Sequence, residues 1–269
     1  MGRARVFLFS GAILLLSVPA ASAADMPIPI KAPVVYEFSG WYLRGDIGMS
    51  SQRVDKMHQR LEDNVPERFN YSHSFDHAAF YGIGAGYQFN NWLRTDVTLE
   101  YRDKSKLTSQ AVGNMGSVDN FTGKKSEITG LWNVYADLGT WWRFTPFVGA
   151  GLGFSYNRIH DFIDICGAGA CNGQLTGISD GTGWKWNFAW ALHAGVAYKV
   201  TTGINVELAY RYINLGDADS ATFHNVDLAA SRWPGPMQFK GITSHDVKLG
   251  VRWNLWEPEP PPPPLMRKG

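Results

Sequence analysis

The sequence is poor in cysteine, in long apolar runs and in charge of one sign, and each shortage excludes a class of protein. Cys166 and Cys171, separated by Gly-Ala-Gly-Ala, are the only cysteines in 269 residues. Two thiols with no histidine pair nearby cannot complete a structural zinc site; in an exported chain they are expected to form a local disulfide. The longest apolar run, Val6 to Val18, falls short of the roughly 20 residues that a membrane-spanning helix needs. Any membrane crossing must therefore use strands. Lys and Arg number 25 against 24 Asp and Glu. No basic stretch of the kind that binds nucleic acid is visible, so no nucleic-acid partner is expected.

A phosphate-binding glycine loop is missing too. FVGAGLGFSYN, residues 147–157, sets three glycines on alternate positions. A phosphate loop needs its glycines at a strand-to-helix turn, where helix-start N–H groups face the anion. Here Phe147, Gly149, Gly151, Gly153 and Ser155 share one side and Val148, Ala150, Leu152, Phe154 and Tyr156 the other, which is the period of a strand. GIGAGYQF at 82–89 repeats the arrangement. No cofactor and no metal are expected.

The N-terminus carries Arg3 and Arg5, the apolar run and then Ala21-Ser22-Ala23, the pattern of a secretory signal peptide over residues 1–23. Cleavage after Ala23 removes Arg3 and Arg5 and leaves 23 basic against 24 acidic residues. A proline-rich segment, 24–37, follows, and the chain ends in a second, 257–269, with EPEPPPPPLMRKG. The proline run favours an extended polyproline helix, a tether to the cell wall or a disordered tail. Between them, 38–256 is rich in Trp, Tyr, Phe and Gly.

Period-two alternation marks eight segments in that region: 39–50, 78–89, 92–102, 127–141, 146–157, 185–199, 204–214 and 244–256. Each is near the 9–11 residues of a tilted membrane-crossing strand. Three connections are short, Asn90-Asn91, Trp142 to Thr145 and Val200 to Gly203, and four are long, 51–77, 103–126, 158–184 and 215–243. Short turns on one side and long loops on the other predict an all-β fold: an eight-stranded antiparallel up-and-down transmembrane barrel.

The two faces of these segments differ. One carries Trp41, Leu43, Ile47, Leu99, Trp132, Leu192, Leu208 and Leu249 with their apolar companions. The other carries Arg44, Asp46, Arg94, Asp96, Glu100, Arg102, Asp137, Lys185, Glu207, Arg211, Asp246, Lys248 and Arg252, with glycines between. An eight-stranded barrel has an interior only just wide enough to be filled by side chains, and more than thirty large apolar residues would overfill it. The large residues are therefore expected to face lipid. The charges are expected to pair in the lumen as a rigid network, with the glycines making room for them. Trp41, Phe89, Trp92, Trp141, Trp142, Phe144, Tyr198 and Trp256 gather where the short turns begin and end, a predicted periplasmic aromatic girdle.

With these features in place, the chain resembles the small outer-membrane β-barrel surface proteins of alphaproteobacteria, the porin-family or opacity-protein-like group. The motifs are ASAAD at the signal end, MPIPIKAPVV, FSGWYLRGDIG, YGIGAGYQF, FVGAGLGF and the last strand HDVKLGVRWNLW, covering Ala24 to Trp256. The resemblance implies eight antiparallel strands, both termini in the periplasm, and surface loops acting as antigens or adhesive surfaces. Such barrels usually finish on an aromatic residue; here Trp256 is followed by the proline-rich tail.

The expected location is thus the outer membrane and the expected role structural, adhesive or antigenic, without catalysis. Outer-membrane lipid and lipopolysaccharide would be partners of the barrel wall, and host or cell-surface molecules partners of the loops. A narrow channel for ions or small solutes is the alternative, although a wide aqueous pore takes about 16 strands. A lipid-modifying enzyme is the third reading. His73 alternates away from Ser72, Ser74 and Asp76 in an extended YSHSFDH, so a Ser-His pair would have to form across strands, for example through His245 or His224.

Overall fold

A computed structural model describes residues 39–59, 69–114, 116, 118–167, 175–226 and 235–255. The predicted signal peptide, both proline-rich segments, Trp256 and Cys171 lie outside the described residues. Twelve strands form one sheet: β1 (Gly40–Arg53), β2 (Lys56–Gln59), β3 (Phe69–Phe75), β4 (Ala78–Gln88), β5 (Leu93–Gly113), β6 (Val118–Asp137), β7 (Phe144–Cys166), β8 (Leu175–Ser179), β9 (Gly183–Lys199), β10 (Ile204–Asp219), β11 (Phe223–Asn225) and β12 (Met237–Asn254). Eight of them close a ring, β1-β4-β5-β6-β7-β9-β10-β12, and β12 returns to β1. All pairings are antiparallel, and closure removes the open edges that a flat sheet of this length would expose.

The eight strands are the eight predicted segments, several of them much longer than predicted. β5, β6 and β7 run 21, 20 and 23 residues, about twice what a bilayer needs. The connections at 103–126 and 158–184 are therefore largely strand, not loop. β5 and β6 form one hairpin whose tip lies between Gly113 and Val118. The connections 51–77, 158–184 and 215–243 carry the short strands β2, β3, β8 and β11, which pair onto the ends of β12, β5, β7 and β8.

These extensions invert the polarity of the wall. Along β5 the inward residues are Arg94, Asp96, Thr98, Glu100 and Arg102, and then Ser105, Leu107, Ser109 and Ala111, while Lys106, Thr108 and Gln110 are exposed. The phase slips at a bulge between Arg102 and Ser105. Similar slips occur at Asp161 on β7 (φ 49°), at Gly216 on β10 (φ 69°) and at Gly241 on β12 (φ 67°). A bulge adds one residue to one strand, so every side chain beyond it changes face. The lower barrel is charged inside and apolar outside. The upper barrel is built the other way, around Leu107, Phe121, Ile159, Phe162, Ile213, Leu215, Phe239 and Ile242.

Below, the alternate glycines of β7 face the lumen. A Cβ on Gly149 would run into the Tyr135 ring and one on Gly151 into the Asn133 amide. Their absence of side chain lets large neighbours on β6 cross the narrow interior.

Candidate functional site

The lumen of the lower barrel holds twelve of the thirteen charges predicted for the inner face, all twelve buried, with Lys185 the exception. With Lys125 and Glu127 they make seven cations and seven anions among the described buried residues. Such a balance is required: an unpaired charge in a low-dielectric interior costs several kcal/mol, on the order of what breaking a buried pair costs.

Two clusters share the work. In the lower one Arg44 donates to both carboxylate oxygens of Asp46 at 2.9 Å, to Asp96 at 2.7 Å and to Glu207 at 3.3 Å. Glu207 also sits 3.4 Å from Arg94 and 3.1 Å from Arg252, and Arg94 reaches Asp137 at 3.1 Å. The Arg94 guanidinium lies over the rings of Tyr135 and Phe147, at 4.2 and 4.7 Å from their centroids. In the upper cluster Arg211 donates to Glu100 and to Asp246, and Arg102 binds Asp246 through both terminal nitrogens at 2.8 and 2.6 Å. Arg102 Nε is 2.7 Å from Glu127, which Lys125 also contacts. Phe80 lies under both Arg102 and Arg211. Lys248 lies 3.7 Å from Asp46, and Asn133 donates to Asp96 and accepts from His193. Lys185 is only part-buried and pairs instead with Asp217 and Asp219 near the β10 bulge.

Lys125 lies in the predicted connection 103–126, while Glu127 opens the predicted strand 127–141 without being among the charges expected there. The signal was present: Asp137, Tyr135 and Asn133 face inward, and the same odd parity carried back along β6 reaches Glu127 and Lys125.

Outside, the lower barrel is an apolar belt. Trp41, Phe89, Trp92, Trp141, Trp142, Phe144 and Tyr198 are exposed around the short-turn end. The tightest of these turns, Trp141 to Phe144, has positive φ at both Trp142 and Arg143 and is closed by two backbone hydrogen bonds of 2.9 Å, the form of a type I′ hairpin. Phe144 and Tyr198 are register partners with ring centroids 5.0 Å apart. A second aromatic row, unanticipated from sequence, includes Tyr101, Tyr156, Trp184 and Trp186, with Tyr156 and Trp186 again register partners at 4.6 Å. The two pairs stand 12 residues apart on β7 and on β9, about 30 Å of height for strands tilted roughly 40°.

Among the histidines, His160 accepts or donates at 2.8 Å from Ser126 Oγ and at 3.0 Å from Thr182 Oγ1. This is a Ser-His contact across β6 and β7, and neither of the histidines proposed from sequence takes part. Its third member is a hydroxyl where a nucleophilic triad has a carboxylate or amide, and Ser126 is only 3% exposed. His245 contacts Tyr210 at 2.6 Å and His224 lies in β11. Cys166 is disulfide-bonded.

Residues 10–254 match the family model described as Outer membrane protein beta-barrel domain. An uncharacterized protein of Brucella abortus is 32% identical over 90% of this chain and 95% of its own. A Rickettsia bellii protein named "Putative adhesin" is 30% identical over 80% of this chain and 88% of its own. Among solved structures, Neisserial surface protein A aligns with a TM-score of 0.43 at 16% identity, over 81% of this chain and all of that one.

Proposed function

This chain belongs to the Outer membrane protein beta-barrel domain family and resides in the outer membrane, and from that premise we propose that it is a sealed surface-display barrel whose upper, extracellular half is an adhesive or antigenic surface. The observation that carries the reading is the polarity inversion. The lower barrel has the outer face of a lipid-embedded wall, whereas the upper barrel has the polar outer face and apolar core of a water-soluble one. Strands that continue about ten residues beyond the belt hold that surface out from the membrane by a few tens of ångströms. The two aromatic rows are proposed as the two interfacial girdles, since their separation is close to the apolar height of such barrels, about 25 Å.

Sealing argues against the channel reading. The lumen is crossed by paired side chains, and above them the apolar cluster of Phe121, Phe162 and Phe239 fills the upper bore. Binding, not catalysis, is the proposed activity: the Ser126–His160 contact lacks both an exposed nucleophile and a charged third partner. The names of the Rickettsia relatives fit an adhesive role. Outer-leaflet lipid, including lipopolysaccharide, is the proposed partner of the belt. The C-terminal proline-rich segment is proposed to reach the cell wall.

The test is display of the full chain on a heterologous Gram-negative host, followed by binding of those cells to epithelial monolayers. Displaying cells should bind several-fold above cells carrying the empty vector. A variant with the β5–β6 extension shortened at 105–125, still folded by its gel mobility, should bind less. Equal binding by displaying and empty-vector cells would refute the adhesive role.

A further inference from the structure

Directly above the second aromatic row, the outside of the barrel becomes basic on one flank. Tyr101, Ile128, Tyr156 and Trp186 are successive register partners across β5, β6, β7 and β9 and end the apolar belt there. The next outward positions bring Lys104 on β5, Ser126 on β6 and Arg158 on β7, and then Lys106, Lys124 and His160, again direct partners across the three strands. Lys106 and Lys124 are both exposed and stand opposite each other, an arrangement that is destabilising unless an anion relieves it.

The protein supplies little relief. Lys124 pairs with exposed Asp161 at 3.1 Å. Among the described residues no carboxylate lies within ion-pair distance of Lys104, Lys106 or Arg158, and Asp103 uses a carboxylate oxygen on the backbone N–H of Lys104. Partial burial, then Arg158 and Lys104, hold His160 below the usual histidine range, so these cations act on one small volume. Between them opens a cleft of 390 Å³ lined by Lys104, Lys106, Thr122, Gly123, Lys124 and Asp161. Near the β10 bulge, by contrast, charge is internally compensated, the part-buried Lys185 answering Asp217 and Asp219.

We propose that this flank of β5, β6 and β7 is a binding site for the phosphate groups of a phosphorylated outer-leaflet glycolipid of the lipid A class, with its acyl chains lying on the apolar rows beneath. The site rests on the reading of the belt as lipid-facing. Lys104 and Lys106 follow Tyr101 by three and five residues, roughly 10–16 Å along the strand, which brings their flexible ammonium groups to headgroup level. Continuity with the belt selects a lipid over a soluble anion: the cations border an apolar surface that only a molecule with both a phosphate and long chains would cover together. Lysine suits phosphate as a point charge.

The test uses the full mature chain folded into phosphatidylcholine vesicles, alone or with bisphosphorylated lipid A, with lipid A stripped of its phosphates, or with inorganic phosphate in solution. The readout is the temperature at which the fast-migrating folded form is lost on gels. Bisphosphorylated lipid A should raise that temperature, and the other two additions should not. The K104Q/K106Q/K124Q variant should lose the shift and bind lipid A on the order of a hundredfold more weakly, taking about a factor of five per cation near a charged lipid surface. K104R/K106R/K124R should keep it. A full shift with dephosphorylated lipid A, a shift with inorganic phosphate alone, or an unchanged shift in the glutamine variant would each overturn the site. Failure of the wild-type chain to enter any vesicle would overturn the lipid-facing belt itself, a result distinct from entry without a phosphate-dependent shift.

Discussion

Arg211 on β10 and Glu100 on β5 stand on opposite walls of the ring, four strands apart in either direction, and meet across the lumen through two hydrogen bonds of 2.8 and 2.6 Å. A pair that spans the full diameter holds the walls together and bars the passage between them. Arg211 also donates to Asp246, which in turn receives Arg102, so the strut is braced on β12.

Arg211→Ala would leave the buried Glu100 without its bidentate partner. Removing one member of a buried pair costs about 3–5 kcal/mol. The variant should unfold at correspondingly lower urea concentration, whereas Glu100→Leu with Arg211→Leu should lose much less than the sum of the two single changes. A double-mutant cycle on the folded gel form measures that coupling; additive losses would mean the strut contributes nothing.

The sealed bore predicts silence in planar bilayers. The wild-type chain should give no resolvable conductance steps. Opening the charged level alone, as in Glu100→Ala with Arg211→Ala, should leave the record silent, because Phe162 and Phe239 still pack at 5.7 Å above it. Steps from the wild type would favour the channel reading.

Leu208 faces outward between Leu249 and Val196, while its neighbour Glu207 points inward to three arginines. Leu208→Arg should cut the folded fraction in lipid vesicles, at a midplane cost of about 2–4 kcal/mol. A cysteine at 208 should react with a lipid-phase label, and one at 207 should not. The reverse labelling would exchange the two faces.

How much of this was legible follows from where the chain keeps strict period two. Arg94 through Arg102 alternate without interruption, so their common face, their burial and the room left by the alternate glycines could be read directly. Leu107 and Ala111 alternate just as regularly, but the bulge at 103–104 moves them from the even to the odd phase, and the stretch then resembles a polar loop. Asp161, Gly216 and Gly241 hide the extensions of β7, β10 and β12 in the same way. The Ser126–His160 contact and the row of Lys106, Lys124 and His160 depend on the register of three strands, which is set by pairing in the ring and has no local signature.

The upper barrel also makes a prediction that the lower one does not share. Phe162 stacks on Phe121 with centroids 5.8 Å apart and meets Phe239 edge-on at 5.7 Å, all three buried in the apolar cluster. Phe162→Ala would open a cavity in a core that water surrounds on the outside, at a cost of about 3–5 kcal/mol. The belt and the charge network lie below the bulges and keep their contacts. Limited proteolysis of intact cells should therefore cut the variant above Tyr101 and Tyr156 at protease concentrations that spare the wild type, while the membrane-embedded fragment still shows its heat-dependent gel shift. If the two halves unfolded together, with no protected fragment, the extension would be part of the barrel's single cooperative unit.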